Sequence, residues 1–288
     1  MMILFFQQLV NGIMLGAVYS LVALGLTLIY GILHVPNFAH GALYMWAAFT
    51  ALFMVINFHT NYWVSLVIAM IVLGLVGVGV ERVVYRPLRD APHINSFIAA
   101  IGLILVLESL SLIVWGADFR RFPAVYDQPI HILGIAITLQ RLLVILASAL
   151  FILILQLFIK HTWLGSTIEA VAQNPEGAQL VGISIDRVSG LTFGIGTAMA
   201  AAAATLIAPI FLVYPTMGSM PNLKAFVVII MGGMGSIPGA VIGGFMLGLM
   251  ESLGGGYIST DYKDLFAFGA LVTFLTIRPT GLFGKGAR

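Results

Sequence analysis

Uncharged or nearly uncharged windows recur along the chain at residues 7 to 31, 38 to 57, 62 to 80, 94 to 115, 142 to 159, 188 to 213, 223 to 253 and 264 to 279. A helix of about 20 residues crosses a hydrocarbon core about 30 Å thick. The pattern therefore predicts an all-α fold, a polytopic transmembrane helical bundle of about eight membrane segments forming one domain over residues 1–288. Window 142 to 159 is apolar on every side, as a lipid-facing span should be, and its flanking Arg141 and Lys160 can snorkel. The last window has thirteen residues between Asp264 and Arg278, a short span that requires both end charges to reach the interface or neighbouring protein to cover it. The opening MMILFFQQLV lacks a basic n-region and reads as a retained helix.

One window breaks the pattern. Residues 223 to 253 are interrupted by GGMGSIPGA, in which four glycines and Pro238 exclude a continuous helix. Two shorter helices are expected, either as a re-entrant pair or as two separate crossings. Irregular backbone at membrane depth persists only where protein buries it or where it lines a wet cavity. Gly232, Gly233, Gly235 and Ser236 are thus candidates for a substrate path; the alternative is a plain turn at the surface. Glycines also fall at small-xxx-small spacing in Gly12/Gly16, Gly190/Gly194, Gly239/Gly243 and Gly244/Gly248, which lets helix backbones approach closely.

Composition sharpens the class. The 288 residues are 60% hydrophobic and 8% charged, against about 25% charged in a soluble domain, and no Lys, Arg, Asp or Glu precedes Glu81. Water is not the solvent of this chain; membrane lipid is. A net charge of +2 with no block of like charges gives no footprint for nucleic acid. The absence of cysteine removes disulfides and thiol chemistry, and the histidines show no H-x-x-x-H spacing, so no metal site is expected. Basic residues place the loops: Arg82, Arg86 and Arg89, then Lys160 and Arg187, then Arg278, Lys285 and Arg288 on the cytoplasmic side, with Arg120, Arg121, Arg141, Lys224 and Lys263 opposite. The N-terminus is then outside and the C-terminus cytoplasmic. An even number of crossings cannot satisfy this, which again singles out window 223 to 253.

Segment 163–187 is too ordered in its chemistry for a mere connector. Ser166 and Glu169 form an S-x-x-E capping box at one helix start. Asn174 and Pro175 supply an N-cap and first-turn proline for a second helix, which Gly182 ends. Ile168, Val171, Ala172, Leu180, Val181 and Ile183 would give one apolar side to something other than water. The segment is either an interfacial amphipathic element or a docking element for a cytoplasmic partner.

TIEAVAQNPEGAQLVGISIDRV (167 to 188) resembles the cytoplasmic segment of the permease subunits of branched-chain amino acid ABC importers. The stretches NGIMLGAVYSLVALGLTLIYGILHVPNFAHGALYM (11 to 45), ERVVYRPLRDAP (81 to 92), GGMGSIPGAVIGG (232 to 244) and YKDLFAFGALVTFLTIRPTGLFG (262 to 284) are similar to the same family in order and spacing. The short form, with no N-terminal extension, is similar to the first of the two permeases that pair in such systems. Ala42 and Glu169 depart from the family's pattern, which often has an acidic residue at the first position and a basic one at the second.

The resemblance implies a permease subunit that forms a translocation path with a paralogous permease. Two cytoplasmic ABC ATPase subunits would carry ATP and Mg, an extracytoplasmic amino-acid-binding protein would deliver cargo, and the chain itself would hold no cofactor. Gly165, Ser166, Glu169, Ala170, Ala172, Asn174, Pro175, Leu180 and Gly182 would then form the ATPase-coupling helix. Branched-chain or related amino acids are the implied cargo, with urea or short amides as the competing one.

The remaining chemistry fits a non-catalytic subunit in the inner (plasma) membrane. No G-x-x-x-x-G-K-[ST] occurs, so ATP is not hydrolysed here by that route. The spans hold two acidic residues, Glu108 and Glu251, and are read as holding no buried Asp, Lys or Arg, which argues against an ion-driven transporter. Aspartates at window edges and the lack of a Ser/His nucleophile motif argue against an intramembrane protease. Glu108, near Ser109 and Ser111, is a candidate partner for a substrate ammonium, whereas Glu251 reads as interfacial. Asn37 and His40, in NFAHG, either cap the helix that follows or line the path.

Overall fold

The structure, a computed structural model, describes residues 2–33, 36–132, 135–259, 262–278 and 280–283. The expected windows become helices α1 (Met2–Leu33), α2 (His40–Phe58), α3 (Tyr62–Val80), α4 (His93–Trp115) and α5 (Leu139–His161). Two short helices follow, α6 (Trp163–Gln173) and α7 (Pro175–Leu180), then α8 (Ile185–Ile207), α9 (Ser219–Gly232), α10 (Ile237–Tyr257) and α11 (Lys263–Ile277). Between α4 and α5 lies a two-stranded antiparallel hairpin, β1 (Pro129–Ile132) and β2 (Ile135–Thr138), for which the hydropathy pattern gave no signal. α3 runs on through a π turn, Glu81–Tyr85, and a 3₁₀ turn at Arg86–Leu88, where Pro87 ends regular backbone.

Among the described residues, seven helices are long and apolar enough to cross a membrane. α9 and α11, at 14 and 15 residues, are shorter than the core they would have to cross. α1 forms the centre of the bundle, with 89% of its apolar window buried, and α8 packs beside it; α4 is peripheral, with 11% buried.

Glycine sets the central seam. A Cβ on Gly248 would lie 2.3 Å from the amide nitrogen of Gly16, and one on Gly12 would lie 2.9 Å from Cα of Leu249. α1 and α10 therefore run antiparallel in direct backbone contact, as the glycine spacing predicts. Gly194 meets Gly74 and Val78 of α3, and Gly243 meets Val228, so each of the four spaced pairs lies at a helix contact.

The broken window resolves into the antiparallel pair α9 and α10. Gly232 and Gly239 touch backbone to backbone, and Ser236 caps α10 by accepting from the amide of Gly239 at 3.1 Å. Gly233 (φ 100°) and Gly235 (φ 81°) take the left-handed region that the tight reversal demands. Met234 and Gly235 are exposed. The break is thus a surface turn, over which the C-terminal segment folds as the amides of Leu282 and Phe283 donate to the carbonyls of Met231 and Gly232.

Candidate functional site

The bundle has two chemically distinct ends. At one, Arg141 of α5 donates to Asn11 of α1 at 2.6 Å, Gln7 of α1 to the carbonyl of Ala136 at 3.2 Å, and Trp63 of α3 to Tyr126 at 3.1 Å. At the other, Arg89 pairs with Asp186 at 2.6 Å and with Glu81 at 3.1 Å, and Arg86 pairs with the same Asp186. These contacts tie loop 81–92 to the start of α8, directly after α6 and α7. The expectation that both loops share one face agrees with this geometry.

A cavity of about 850 Å³ opens at the first end, between α1, α9, α10, α11 and the connection from α8 to α9. Its wall is largely apolar, with Met14, Val18, Tyr44, Ile207 and Met217 among the lining side chains. Five charged side chains line it, Arg141, Lys224, Glu251, Lys263 and Asp264, and three of them converge on one another. Lys224 Nζ lies 2.7 Å from Oε1 of Glu251 and 2.8 Å from Oδ1 of Asp264, and the Tyr19 hydroxyl donates to Oε2 of Glu251 at 2.8 Å. Lys224 and Glu251 are 5% and 4% exposed, and the ammonium also sits 5.4 Å from the Tyr19 ring centroid.

Local sequence explains how these groups meet. Pro221 is tolerated in the first turn of α9, where its missing N–H has no helical acceptor to lose. Lys224 follows within the next turn, its stem buried. The α1/α10 glycine seam then sets Glu251 beside Tyr19. A buried ammonium without counter-charge costs several kcal/mol, so two carboxylates and a hydroxyl around one lysine satisfy the burial.

This corrects the sequence reading in three respects. Lys224 is inside the bundle, not in an outer loop, so the spans do contain a buried lysine. Glu251 is buried and paired, not interfacial. Glu108 is on peripheral α4, partly buried, and does not line this cavity.

Nor do the other path candidates line the cavity. Gly232, Gly233, Gly235 and Ser236 form the surface turn at the opposite end of α10. Asn37 and His40 are fully buried deeper in the bundle. Asn37 does not cap α2 as its N-cap residue, which is Ala39. Its Oδ1 accepts from the amide of Ala39 at 3.1 Å and from the hydroxyl of Tyr85 at 2.7 Å, which pins the chain reversal before α2 to the end of α3. His40 packs against Gly25 of α1, where a Cβ would lie 3.0 Å from its Nε2.

The α6–α7 segment takes the expected helix, break, helix form, with one correction. α6 begins at Trp163, and its N-cap is Thr162, whose Oγ1 accepts from the amide of Gly165 at 3.0 Å. Ser166 lies inside the first turn with its hydroxyl turned back to the Thr162 carbonyl at 3.2 Å, so the Ser166/Glu169 capping box does not form. Gly165 packs against Ile159, too close for any side chain. Asn174 caps α7, accepting from Gly177 at 2.8 Å with Pro175 at the first position, and Gly182 (φ 85°) closes it.

The apolar residues of this segment divide. Ile168 and Val171 are buried against the bundle and Ala172 faces Gly31 of α1, while Leu180 and Val181 are 89% and 76% exposed. Glu169 is on the exposed side and Ala170 at its edge.

Comparison with known proteins accords with this architecture. Residues 8–275 match the family model described as branched-chain amino acid transport system, permease component. The high-affinity branched-chain amino acid transport system permease LivH of Salmonella typhimurium is 36% identical over 98% of this chain and 96% of its own. BraD of Pseudomonas aeruginosa, named for the same system, is 34% identical with the same coverage of each chain. The solved structure of PsaBC from Streptococcus pneumoniae in complex with Fab shares the fold, with a TM-score of 0.51 at 13% identity over 96% of this chain and 92% of that one. With seven long apolar helices among its described residues and a family match over nearly its whole length, the chain is a multi-pass membrane protein and belongs to the family of permease components of branched-chain amino acid transport systems.

Proposed function

We propose that this chain is one of two paired permease subunits of an ATP-driven importer of branched-chain amino acids in the cell inner membrane. The observation that carries the reading is the division of the bundle: a largely apolar cavity with a small charged cluster opens at one end, and exposed Leu180 and Val181 project from a capped helical segment at the other. An apolar wall suits an aliphatic side chain and the charged cluster suits a polar head. The end bearing α6 and α7 is cytoplasmic in this reading, which puts the N-terminus outside and the end of α11 inside.

Two ABC ATPases, carrying ATP and Mg, dock on residues 163–187, and a paralogous permease completes the path. An extracytoplasmic binding protein delivers the amino acid to the cavity mouth. ATP-driven closure of the ATPases shifts the permeases between outward- and inward-facing states, and cargo moves because the two states bind it differently. The chain contributes no hydrolytic chemistry of its own.

The test is uptake of radiolabelled leucine into proteoliposomes holding the complete importer. Leucine is expected to accumulate only with ATP and loaded binding protein. Accumulation driven by an ion gradient without ATP, or of urea and short amides in place of leucine, would overturn the reading.

A further inference from the structure

Around Lys224 the charge count is unequal. One ammonium faces two carboxylates, Glu251 and Asp264, and the two are differently held. Glu251 is buried and fixed from behind by the Tyr19 hydroxyl. The Asp264 side chain is 35% exposed, stands at the first turn of the short helix α11, and has no contact with Tyr19 in its ion pair with Lys224. The cluster stands at the wall of a cavity large enough for an amino acid, which Arg141 and Lys263 also line, and Met14, Val18 and Met217 border the same space.

We propose that Lys224 and Asp264 form a subsite for the zwitterionic head of an α-amino acid. The carboxylate of the amino acid takes the position of Asp264 on Lys224, and its ammonium takes the Asp264 carboxylate so released. One ion pair is exchanged for two, with no unpaired charge left in a region of low dielectric. Glu251 and Tyr19 are positioning residues, holding the lysine Nζ toward the cavity while its second partner changes. The aliphatic side chain then lies against the methionine and valine wall. This subsite rests on the amino-acid reading of the cavity but makes a narrower claim, that both charges of the cargo are read by this chain.

The experiment is saturation-transfer NMR on the purified importer complex without binding protein, using leucine, 4-methylpentanoate, which lacks the ammonium, and 3-methylbutylamine, which lacks the carboxylate. In the wild-type complex leucine is expected to give the strongest signal. Asp264→Asn should weaken leucine and the amine by about tenfold, as loss of one charge-assisted pair implies, while the acid, which no longer has to displace Asp264 from Lys224, binds at least as well. Because Lys224→Gln alone leaves the buried Glu251 carboxylate without its counter-charge, the double variant Lys224→Gln/Glu251→Gln is used. It should weaken leucine and the acid and spare the amine. A leucine signal absent from the wild-type complex, or all three probes lost alike in both variants, would overturn the subsite and leave the cluster as a structural clamp. Leucine uptake by the wild-type importer with its binding protein is scored separately, so failure of the subsite is distinguishable from failure of the importer reading.

Discussion

Gly16 of α1 and Gly248 of α10, 232 residues apart, meet so closely that a single added Cβ on Gly248 would lie 2.3 Å from the Gly16 amide nitrogen. The contact places Tyr19, one turn along α1, where its hydroxyl reaches Glu251, one turn along α10. Gly248→Val is therefore expected to force the seam apart. Overpacking of this kind costs about 1–3 kcal/mol, and the loss should appear as a lowered melting temperature and early aggregation on size-exclusion chromatography in detergent. An unchanged melting temperature would mean that α1 and α10 are not in backbone contact.

Breaking the buried pair should cost more than replacing it. Glu251→Gln leaves Lys224 with only the half-exposed Asp264 as counter-charge and should destabilise the chain by on the order of 3 kcal/mol. The double change Lys224→Met/Glu251→Met removes both charges and is expected to recover most of that loss. Thermal unfolding of the two variants beside the wild type measures the difference. Equal destabilisation would argue that the pair is not a coupled unit.

At the opposite end, burial separates docking from folding. Leu180→Asp and Val181→Asp alter side chains that are largely exposed, so stability should stay within about 0.5 kcal/mol while co-purification with the ATPases is lost. Val171→Asp buries an unpaired carboxylate against the bundle and should abolish the folded state, read as loss of the monodisperse peak. Retained ATPase binding by both exposed variants would remove α7 from the docking surface.

The caps of the same segment give a finer test. Thr162→Ala and Asn174→Ala each delete an observed cap and should cost about 1 kcal/mol of local helix stability, visible as faster amide exchange in the first turns of α6 and α7. Ser166→Ala should leave exchange at α6 unchanged, because Thr162 and not Ser166 accepts the free amide.

The charged ties of loop 81–92 are also unequal. Arg89 holds Glu81, which is 2% exposed, as well as Asp186, whereas Arg86 holds only Asp186 at the surface. Arg89→Leu should destabilise by more than 1 kcal/mol, since it strands a buried carboxylate, and Arg86→Leu by about 0–1 kcal/mol. Differential scanning fluorimetry on the two variants checks the order.

What the sequence determined by itself is local. A run of apolar residues longer than a bilayer core must be helical in lipid, because no water is present to satisfy the backbone. The windows therefore mapped onto helices, the Asn174-Pro175 start and Gly182 stop onto α7, and the glycine pairs onto helix contacts. What only the tertiary structure decided is partnership. Whether Lys224 belongs to a loop or a buried pair depends on how the chain reverses at 232–239. Once Gly232 packs on Gly239 and Val228 on Gly243, the same register sets Lys224 opposite Leu247, within a side chain's reach of Glu251. The reversal also turns the glycine-rich break from a supposed cavity wall into a surface turn, and it leaves the cavity to residues from α1, α9, α10, α11 and the connection from α8 to α9 that no spacing in the sequence links. Side-chain reach and helix register, not composition, fix which few charges of this apolar chain face one another.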